Sequence, residues 1–117
     1  MNFKEFNEEV FYTKDLITCV NRESIDFLKS KAMNNRRKRA RLCTHLEVED
    51  ALHEMLIVHF KGLYVQPHKH LGKDESFHLI SGKIDCVIFD KNGNVKKPFP
   101  MGDYSVGKTF YYRIPAN

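Results

Sequence analysis

A chain of 117 residues has room for one domain. Apolar residues make up 42% and charged residues 29%, which is typical of a soluble globular protein and excludes a disordered one. No apolar run approaches the roughly 18 residues of a membrane-spanning helix. The N-terminal residues carry acidic side chains and lack the apolar stretch of a secretory signal, so we expect neither a membrane nor an export role.

The net charge of +4 comes from one short run of basic residues. Five of the 19 basic side chains lie within positions 36–41, and the other fourteen nearly balance the 15 acidic ones. The run favours a solvated connector or an intersubunit ion-pair patch. One alternative is that the run binds an anion near the active site. Another is nucleic-acid binding, which is disfavoured because no aromatic residues are interleaved with the basic ones. The candidate anion-binding residues are Arg36, Arg37, Arg39 and Arg41.

The cysteines Cys19, Cys43 and Cys86 are far apart and form no CxxC pair. An odd number of such cysteines argues against a disulfide framework and against a cysteine-based zinc finger. Reduced thiols are typical of a cytoplasmic protein, and we expect that location.

Residues 1–45 are predicted to form an N-terminal segment of a strand, a helix and the basic connector. Phe3, Phe6 and Val10 have helical spacing, while residues 16–20 (LITCV) are typical of a short strand. Asn21 is a favourable N-cap for a helix over about 22–34, on which Ile25, Leu28 and Ala32 lie on one face.

Residues 46–117 are predicted to form the β-domain, because short apolar runs alternate there with turn signals. Residues 90–94 (DKNGN) are a strong hairpin signal. Strands this close together, without helices between them, indicate an antiparallel sandwich or small barrel. The predicted strands are Leu52–Phe60, Tyr64–His70, Ser76–Ile80, Lys83–Phe89, Val95–Phe99 and Thr109–Ile114.

The residues most suggestive of chemistry are His68, His70 and Glu75. Residues two apart on a strand point to the same face, and a turn after His70 can return Glu75 towards both imidazoles. Two imidazoles and one carboxylate suit a divalent first-row metal ion, whether Fe, Mn, Ni, Co or Zn. The alternative is a pair of surface histidines at a sheet edge. Tyr64 and Gln66 are in phase with the histidines and are predicted to line a pocket.

The spacing of this stretch resembles the first signature motif of the cupins, G-x5-HxH-x3–4-E-x6-G. Gly62, His68, His70, Glu75 and Gly82 match it at each fixed position. The surrounding segments NRRKRARLCTH, HEMLIV and YYRIPAN are similar to those of the WbuC-type cupin-fold metalloproteins, which are small bacterial proteins, some encoded in O-antigen and other polysaccharide clusters.

This resemblance implies a mainly β fold, a cupin-type antiparallel barrel of the jelly-roll kind with a short N-terminal helical arm. It also implies a homodimer and one divalent transition metal held by His68, His70 and Glu75. The implied function is a metal-dependent enzyme acting on a small polar ligand, such as a sugar or sugar nucleotide in polysaccharide biosynthesis. The alternatives are a non-catalytic metal-containing sugar-binding or regulatory module, or a degenerate truncated cupin, because fold does not settle function.

The second cupin motif departs from its usual spacing. Gly107 is followed by Pro115 after seven residues, and the expected fourth metal ligand would lie about three residues beyond Asn117. We therefore expect the sequence to belong to a longer chain. The alternative is that the chain folds as given and a dimer partner covers the gap.

Three further predictions concern residues near the motif. His78 is out of phase with Glu75, so strict alternation places it on the opposite face of the strand. His53 and His59 are expected to have structural roles. One of Tyr111 and Tyr112 should point into the barrel, and the sequence leaves open which one.

Overall fold

The computed structural model describes residues 3–61, 74–89 and 92–115. The chain forms two compact units, an N-terminal unit (Met1–Tyr64) and a C-terminal unit (Val65–Asn117). Among the described residues, the N-terminal unit contains β1 (Phe3–Glu5), β2 (Val10–Thr13), α1 (Arg22–Asn34), β3 (Arg39–Cys43) and β4 (Met55–His59). The C-terminal unit contains β5 (Glu75–His78), β6 (Lys83–Phe89), β7 (Val95–Gly102), a 3-10 turn (Tyr104–Val106) and β8 (Tyr111–Ile114).

The N-terminal unit is a four-stranded sheet in the order β1-β2-β3-β4, with α1 connecting β2 to β3. The β1–β2 and β3–β4 pairs are antiparallel, whereas β2 and β3 are parallel. A parallel pair needs a long crossover connection, and α1 provides it.

The helix begins and ends where the sequence predicts. The Asn21 side chain accepts a hydrogen bond from the Ser24 backbone N–H, and the Ser24 hydroxyl accepts one from the Asn21 N–H, which completes a capping box. These contacts satisfy two of the backbone donors that a helix start leaves unpaired. The prediction of a helix over about 22–34 is confirmed.

The core of the N-terminal unit lies between α1 and one face of the sheet. Leu28 and Leu42 are fully buried there, together with Phe11, Ala32 and Ala40. Alternate residues of each strand face the helix, which explains why Leu56 and Val58 of β4 also pack against this cluster. The apolar face predicted for the helix is thus the one that builds the core.

Three predictions in the first 45 residues are wrong. Residues 16–20 form no strand, and Leu16 and Ile17 are 88% and 81% exposed. Phe3 and Val10 lie on strands rather than on a helix, because the chain reverses between β1 and β2. The basic run is also no simple connector, since its second half forms β3.

The C-terminal unit has two strand pairs, β5–β8 and β6–β7, both antiparallel. The β6–β7 hairpin follows from its turn, where Gly93 has a φ of +83° that favours glycine. Gly82, the last glycine of the motif, turns the chain between β5 and β6 with a φ of +98°. The Phe99 ring of β7 contacts the Tyr112 ring of β8 edge-on at 5.9 Å, which brings the two pairs together within this unit.

The prediction of a mainly β protein with one helix is confirmed for the described residues. The predicted strands near 52–60, 76–80, 83–89, 95–99 and 109–114 correspond to β4, β5, β6, β7 and β8, while the predicted strand 64–70 lies outside the described residues. The division into 1–45 and 46–117 stays a prediction, and β4, from the second part, pairs with β3 from the first.

Candidate functional site

The motif carboxylate lies on a half-buried face of the C-terminal unit. Side chains of β5 alternate, so Glu75 and Phe77 are partly buried while Ser76 and His78 are exposed. The prediction that His78 lies on the face opposite to Glu75 is thereby confirmed. Across the strand pair, Glu75 is opposite Ile114 and Phe77 is opposite Tyr112.

Tyr112 is the tyrosine that faces inward, since it is half-buried whereas Tyr111 is 52% exposed. Its ring stacks on Phe77, with centroids 5.4 Å apart and planes 4° from parallel, and meets Phe99 edge-on. Aromatic contacts on two sides restrict the ring to one orientation. This choice between Tyr111 and Tyr112 is one that the sequence alone left open.

The Tyr112 hydroxyl donates a hydrogen bond to the Cys86 thiol of β6. Burial raises the pKa of Tyr112, and the charge of Glu75 and the contact with Cys86 raise it further. Burial also raises the pKa of Cys86; the hydrogen bond from Tyr112 opposes this, and Glu75 reinforces it. The phenol and the thiol are therefore protonated at neutral pH, and neither serves as a general base in that state.

The other predicted site residues of this stretch, Tyr64, Gln66, His68 and His70, lie outside the described residues. Glu75 alone of the three predicted metal ligands is therefore placed, and the described ranges contain no group of three His, Cys, Asp or Glu side chains that could hold a metal. The donor set itself fits a divalent transition metal, because two imidazoles and a carboxylate are ligands of that class and Glu75 lies on a partly shielded face.

A cavity of about 430 Å³ lies beside Tyr112. Its walls include the rings of Phe99, Tyr111 and Tyr112 and the guanidinium-bearing Arg113, which pairs with Asp74. A volume of a few hundred Å³, with mostly apolar walls and a few polar groups, is typical of small-molecule sites. The lining comes from both faces of β8, since Tyr111 and Arg113 are exposed and Tyr112 is half-buried, and it does not include Glu75.

The predicted anion-binding residues lie in the N-terminal unit, and they differ in their ion pairs and in their exposure. Arg37 and Arg39 both pair with Glu9, at 3.2 and 3.7 Å. Arg36 precedes β3 and is exposed, and Arg41 is exposed on β3. Glu9 therefore offsets one of the two positive charges of Arg37 and Arg39, whereas Arg36 and Arg41 extend into solvent.

A second polar cluster, which was not predicted from the sequence, lies in the N-terminal unit. The His45 and His53 rings stack with centroids 4.2 Å apart and planes within 10°, and Tyr12 meets His45 edge-on at 5.7 Å. Tyr12 also donates a hydrogen bond to Cys43. The residues come from β2, β3 and the β3–β4 loop, so no sequence spacing could have revealed the cluster.

Together these observations define a mainly β protein with a polar, half-buried face in its C-terminal unit. No helix within the described ranges combines the length and the apolar character needed to cross a membrane. Residues 20–101 match the model of a family described as a domain of unknown function, DUF6016, and the chain belongs to that family. No curated protein and no solved structure matches the chain.

Proposed function

We propose that the protein is a cupin-fold metalloprotein of the WbuC type, in which His68, His70 and Glu75 hold one divalent transition metal ion. Its proposed role is that of a metal-dependent enzyme acting on a small polar substrate, such as a sugar or sugar nucleotide in polysaccharide biosynthesis of the O-antigen type. The observation that carries the proposal is the half-buried position of the motif carboxylate, Glu75, on the inner face of β5.

Two further features support the proposal. The motif from Gly62 to Gly82 lies inside the region that matches the family. Gly82 has a backbone conformation that favours glycine, which accounts physically for the last fixed position of the motif. When bound, the metal would polarise an oxygen of the substrate.

The direct test is metal analysis of the purified chain and three variants. We expect about one metal ion per chain in the wild type, and loss of the metal in His68→Ala and in Glu75→Gln. His78→Ala is the matched control, because His78 lies on the same strand as Glu75 but on the opposite, exposed face. A wild-type chain without metal, or a Glu75→Gln variant that retains it, would contradict the proposal.

A metal-containing binding module without turnover is the second candidate. The observation that favours it is the absence of an evident base among the described residues near Glu75, since the Tyr112 phenol and the Cys86 thiol are both held protonated. Incubation with sugar nucleotides separates the two candidates. Product formation that disappears in Glu75→Gln supports an enzyme, whereas saturable binding without product supports the module.

The proposal also states that the protein is a homodimer and is located in the cytoplasm. The three cysteines of the chain are all free, which agrees with a reducing compartment. The exposed apolar residues Leu16 and Ile17 offer one surface for self-association. Light scattering on the purified chain tests the dimer, since a monomeric mass at high protein concentration would contradict it.

A further inference from the structure

We propose that the two ends of the N-terminal sheet are complementary surfaces through which two copies of the chain associate, each placing its acidic end against the basic end of the partner. The acidic end consists of residues 14–23 and 44–54, and the basic end of residues 6–9 and 31–39. The inference deepens the proposed homodimer and rests on it, because it names the surfaces that the dimer would use.

The fold brings the two segments of the acidic end together. Strands β2 and β3 are parallel, with Tyr12 beside Cys43, so the segments that follow these strands leave the sheet at the same end. The Tyr12 ring meets the His45 ring edge-on at 5.7 Å, which holds the second segment against β2. The two segments contain only two basic side chains and six acidic ones, which are Asp15, Glu23, Glu47, Glu49, Asp50 and Glu54.

The acidic end also presents apolar side chains to solvent in a fixed arrangement. The Thr13 and Thr18 hydroxyls are 2.6 Å apart, and Nε2 of His53 lies 2.8 Å from the carbonyl oxygen of Val48, so hydrogen bonds hold both segments. Exposed apolar groups with a charged rim are typical of a protein interaction surface, and fixed ones lose little entropy on binding. Six aliphatic side chains are 38–88% exposed here, namely Leu16, Ile17, Val20, Leu46, Val48 and Leu52.

The basic end lies at the other end of the same sheet, where the β1–β2 turn meets the α1–β3 loop. The Asn35 side chain joins these two segments, since its amide donates to the carbonyl oxygens of Glu8 at 3.2 Å and of Arg39 at 2.6 Å. This end contains five basic and two acidic side chains. Phe6 and Met33 are 71% and 58% exposed here, so the basic end offers apolar groups as well as the opposite charge.

The contacts within each end show which charges are available to a partner. Glu9 pairs with Arg37 and Arg39, whereas Arg36 extends into solvent. At the acidic end, the Asp50 carboxylate accepts from the backbone N–H groups of residues 46 and 47 at 3.0 and 3.3 Å, whereas the Glu49 side chain is exposed. Arg36 and Glu49 are therefore the charges through which the two ends are best tested.

A second copy of the chain is the partner that fits, because each chain carries both complementary surfaces. Two copies related by a two-fold axis make the acidic-to-basic contact twice, which leaves neither end open and closes the assembly at two. Single exposed ion pairs contribute little affinity, so the apolar groups are expected to supply most of it. The charges would orient the two copies and speed their encounter.

The test is sedimentation equilibrium of the full chain and of two charge reversals, Glu49→Arg and Arg36→Glu. Each variant is expected to weaken the dimer at least about 10-fold, because each brings like charges together in both contacts. An equimolar mixture of the two variants should restore the affinity, since one contact then joins the two reversed charges and the other joins the native pair. Asp85→Arg is the control, because it changes the net charge as Glu49→Arg does, at an exposed position of the C-terminal unit.

Each way of failing has its own signature. A wild-type dimer that keeps its affinity in both charge reversals, or a mixture that associates no more strongly than either variant alone, would overturn the inference and leave the homodimer standing. A mass that continues to grow with concentration would overturn the two-fold arrangement. A monomeric wild type would refute the homodimer and the inference together, while the metal content of the chain tests the proposed metal site separately.

Salt and an apolar substitution provide further readouts. Raising the salt concentration from about 50 to about 500 mM should weaken the wild-type dimer and strengthen that of Arg36→Glu, because screening reduces attraction in one and repulsion in the other. Val48→Ser should weaken the dimer about 5-fold, since it removes apolar surface at the contact. Val95→Ser, at a side chain of similar exposure in the C-terminal unit, should not. The same salt response in wild type and Arg36→Glu, or equal effects of the two valine substitutions, would contradict the inference.

Discussion

The N-terminal and C-terminal units each bring a tyrosine and a cysteine into hydrogen-bond contact, yet the surroundings of the two pairs differ. Cys43, the partner of Tyr12, is 1% exposed, and the charges that act on this pair are Arg41 and, more weakly, Glu49. Cys86, the partner of Tyr112, is partly exposed, and its charged neighbour is Glu75. The same contact thus lies in a closed, cationic setting in one unit and in an open, anionic setting in the other.

The packing of the two units shows the same contrast. Of the eight apolar side chains that are buried among the described residues, seven lie in the N-terminal unit and one, Met101, in the C-terminal unit. A filled core stabilises a fold and leaves no room for a ligand. The N-terminal unit is therefore the stable part of the described chain, and the half-buried face of the C-terminal unit is the better place to seek ligand chemistry.

The largest effect that tests this contrast is expected from core truncation. Leu42→Ala should lower the free energy of unfolding by about 2–5 kcal/mol, because Leu42 is fully buried against α1. Ile84→Ala on β6 removes the same number of carbon atoms from a side chain that is 39% exposed, and should cost about 1 kcal/mol or less. Urea unfolding of both variants measures the difference. Equal losses would contradict the assignment of the core to the N-terminal unit.

The two thiols should also differ in their rates of alkylation in the protein without added metal. Cys43 is buried, so it reacts only when the N-terminal unit opens, whereas Cys86 is partly exposed in the folded chain. We expect Cys86 to react at least about 10-fold faster, a ratio that corresponds to about 1.4 kcal/mol of opening free energy. Peptide mass spectrometry after timed quenching gives both rates, and exposed Cys19 serves as the internal standard. Faster reaction of Cys43 would reverse the comparison.

The smallest effect is a pH dependence that belongs to the N-terminal unit. Burial lowers the pKa of His59, and the charge of Arg39 lowers it further. The unfolded chain therefore binds this proton more readily than the folded chain. Stability from His59 is complete above the unfolded pKa of about 6.5 and declines as the pH falls below it towards the lowered folded value.

His59→Gln should remove this decline, which we expect to be roughly a few tenths of a kcal/mol because the imidazole is partly solvated. Urea unfolding of wild type and variant at about pH 7.5 and about pH 5.5 measures it. The prediction would be wrong if the free energy of unfolding of wild type, relative to His59→Gln, were higher at about pH 5.5 than at about pH 7.5.

Local signals predicted the parts of the fold that depend on a few neighbouring residues. Asn21 and the apolar face of Leu28 and Ala32 were enough to locate α1, and the turn containing Gly93 was enough to locate the β6–β7 hairpin. The apolar run 16–20 was wrongly predicted to be a strand, because strand propensity does not show whether a neighbouring strand is there to pair with it. Leu16 and Ile17 of this run are exposed.

The candidate site was predictable only in its local part. Alternation along β5 separates Glu75 from His78, and that much follows from a period of two. The contact between Tyr112 and Cys86 joins strands that are distant in the chain, and it depends on the register of β5 with β8 and of β6 with β7. Nothing in either local sequence specifies those registers, so the pair could not be found from spacing.

The first strand of the N-terminal sheet has a consequence for assembly. Among the described residues β1 forms the end of the sheet, is three residues long and exposes Lys4 and Glu5. A short edge with a lysine resists the addition of a further strand from another molecule. A second copy of the chain is therefore not expected to extend this sheet through β1.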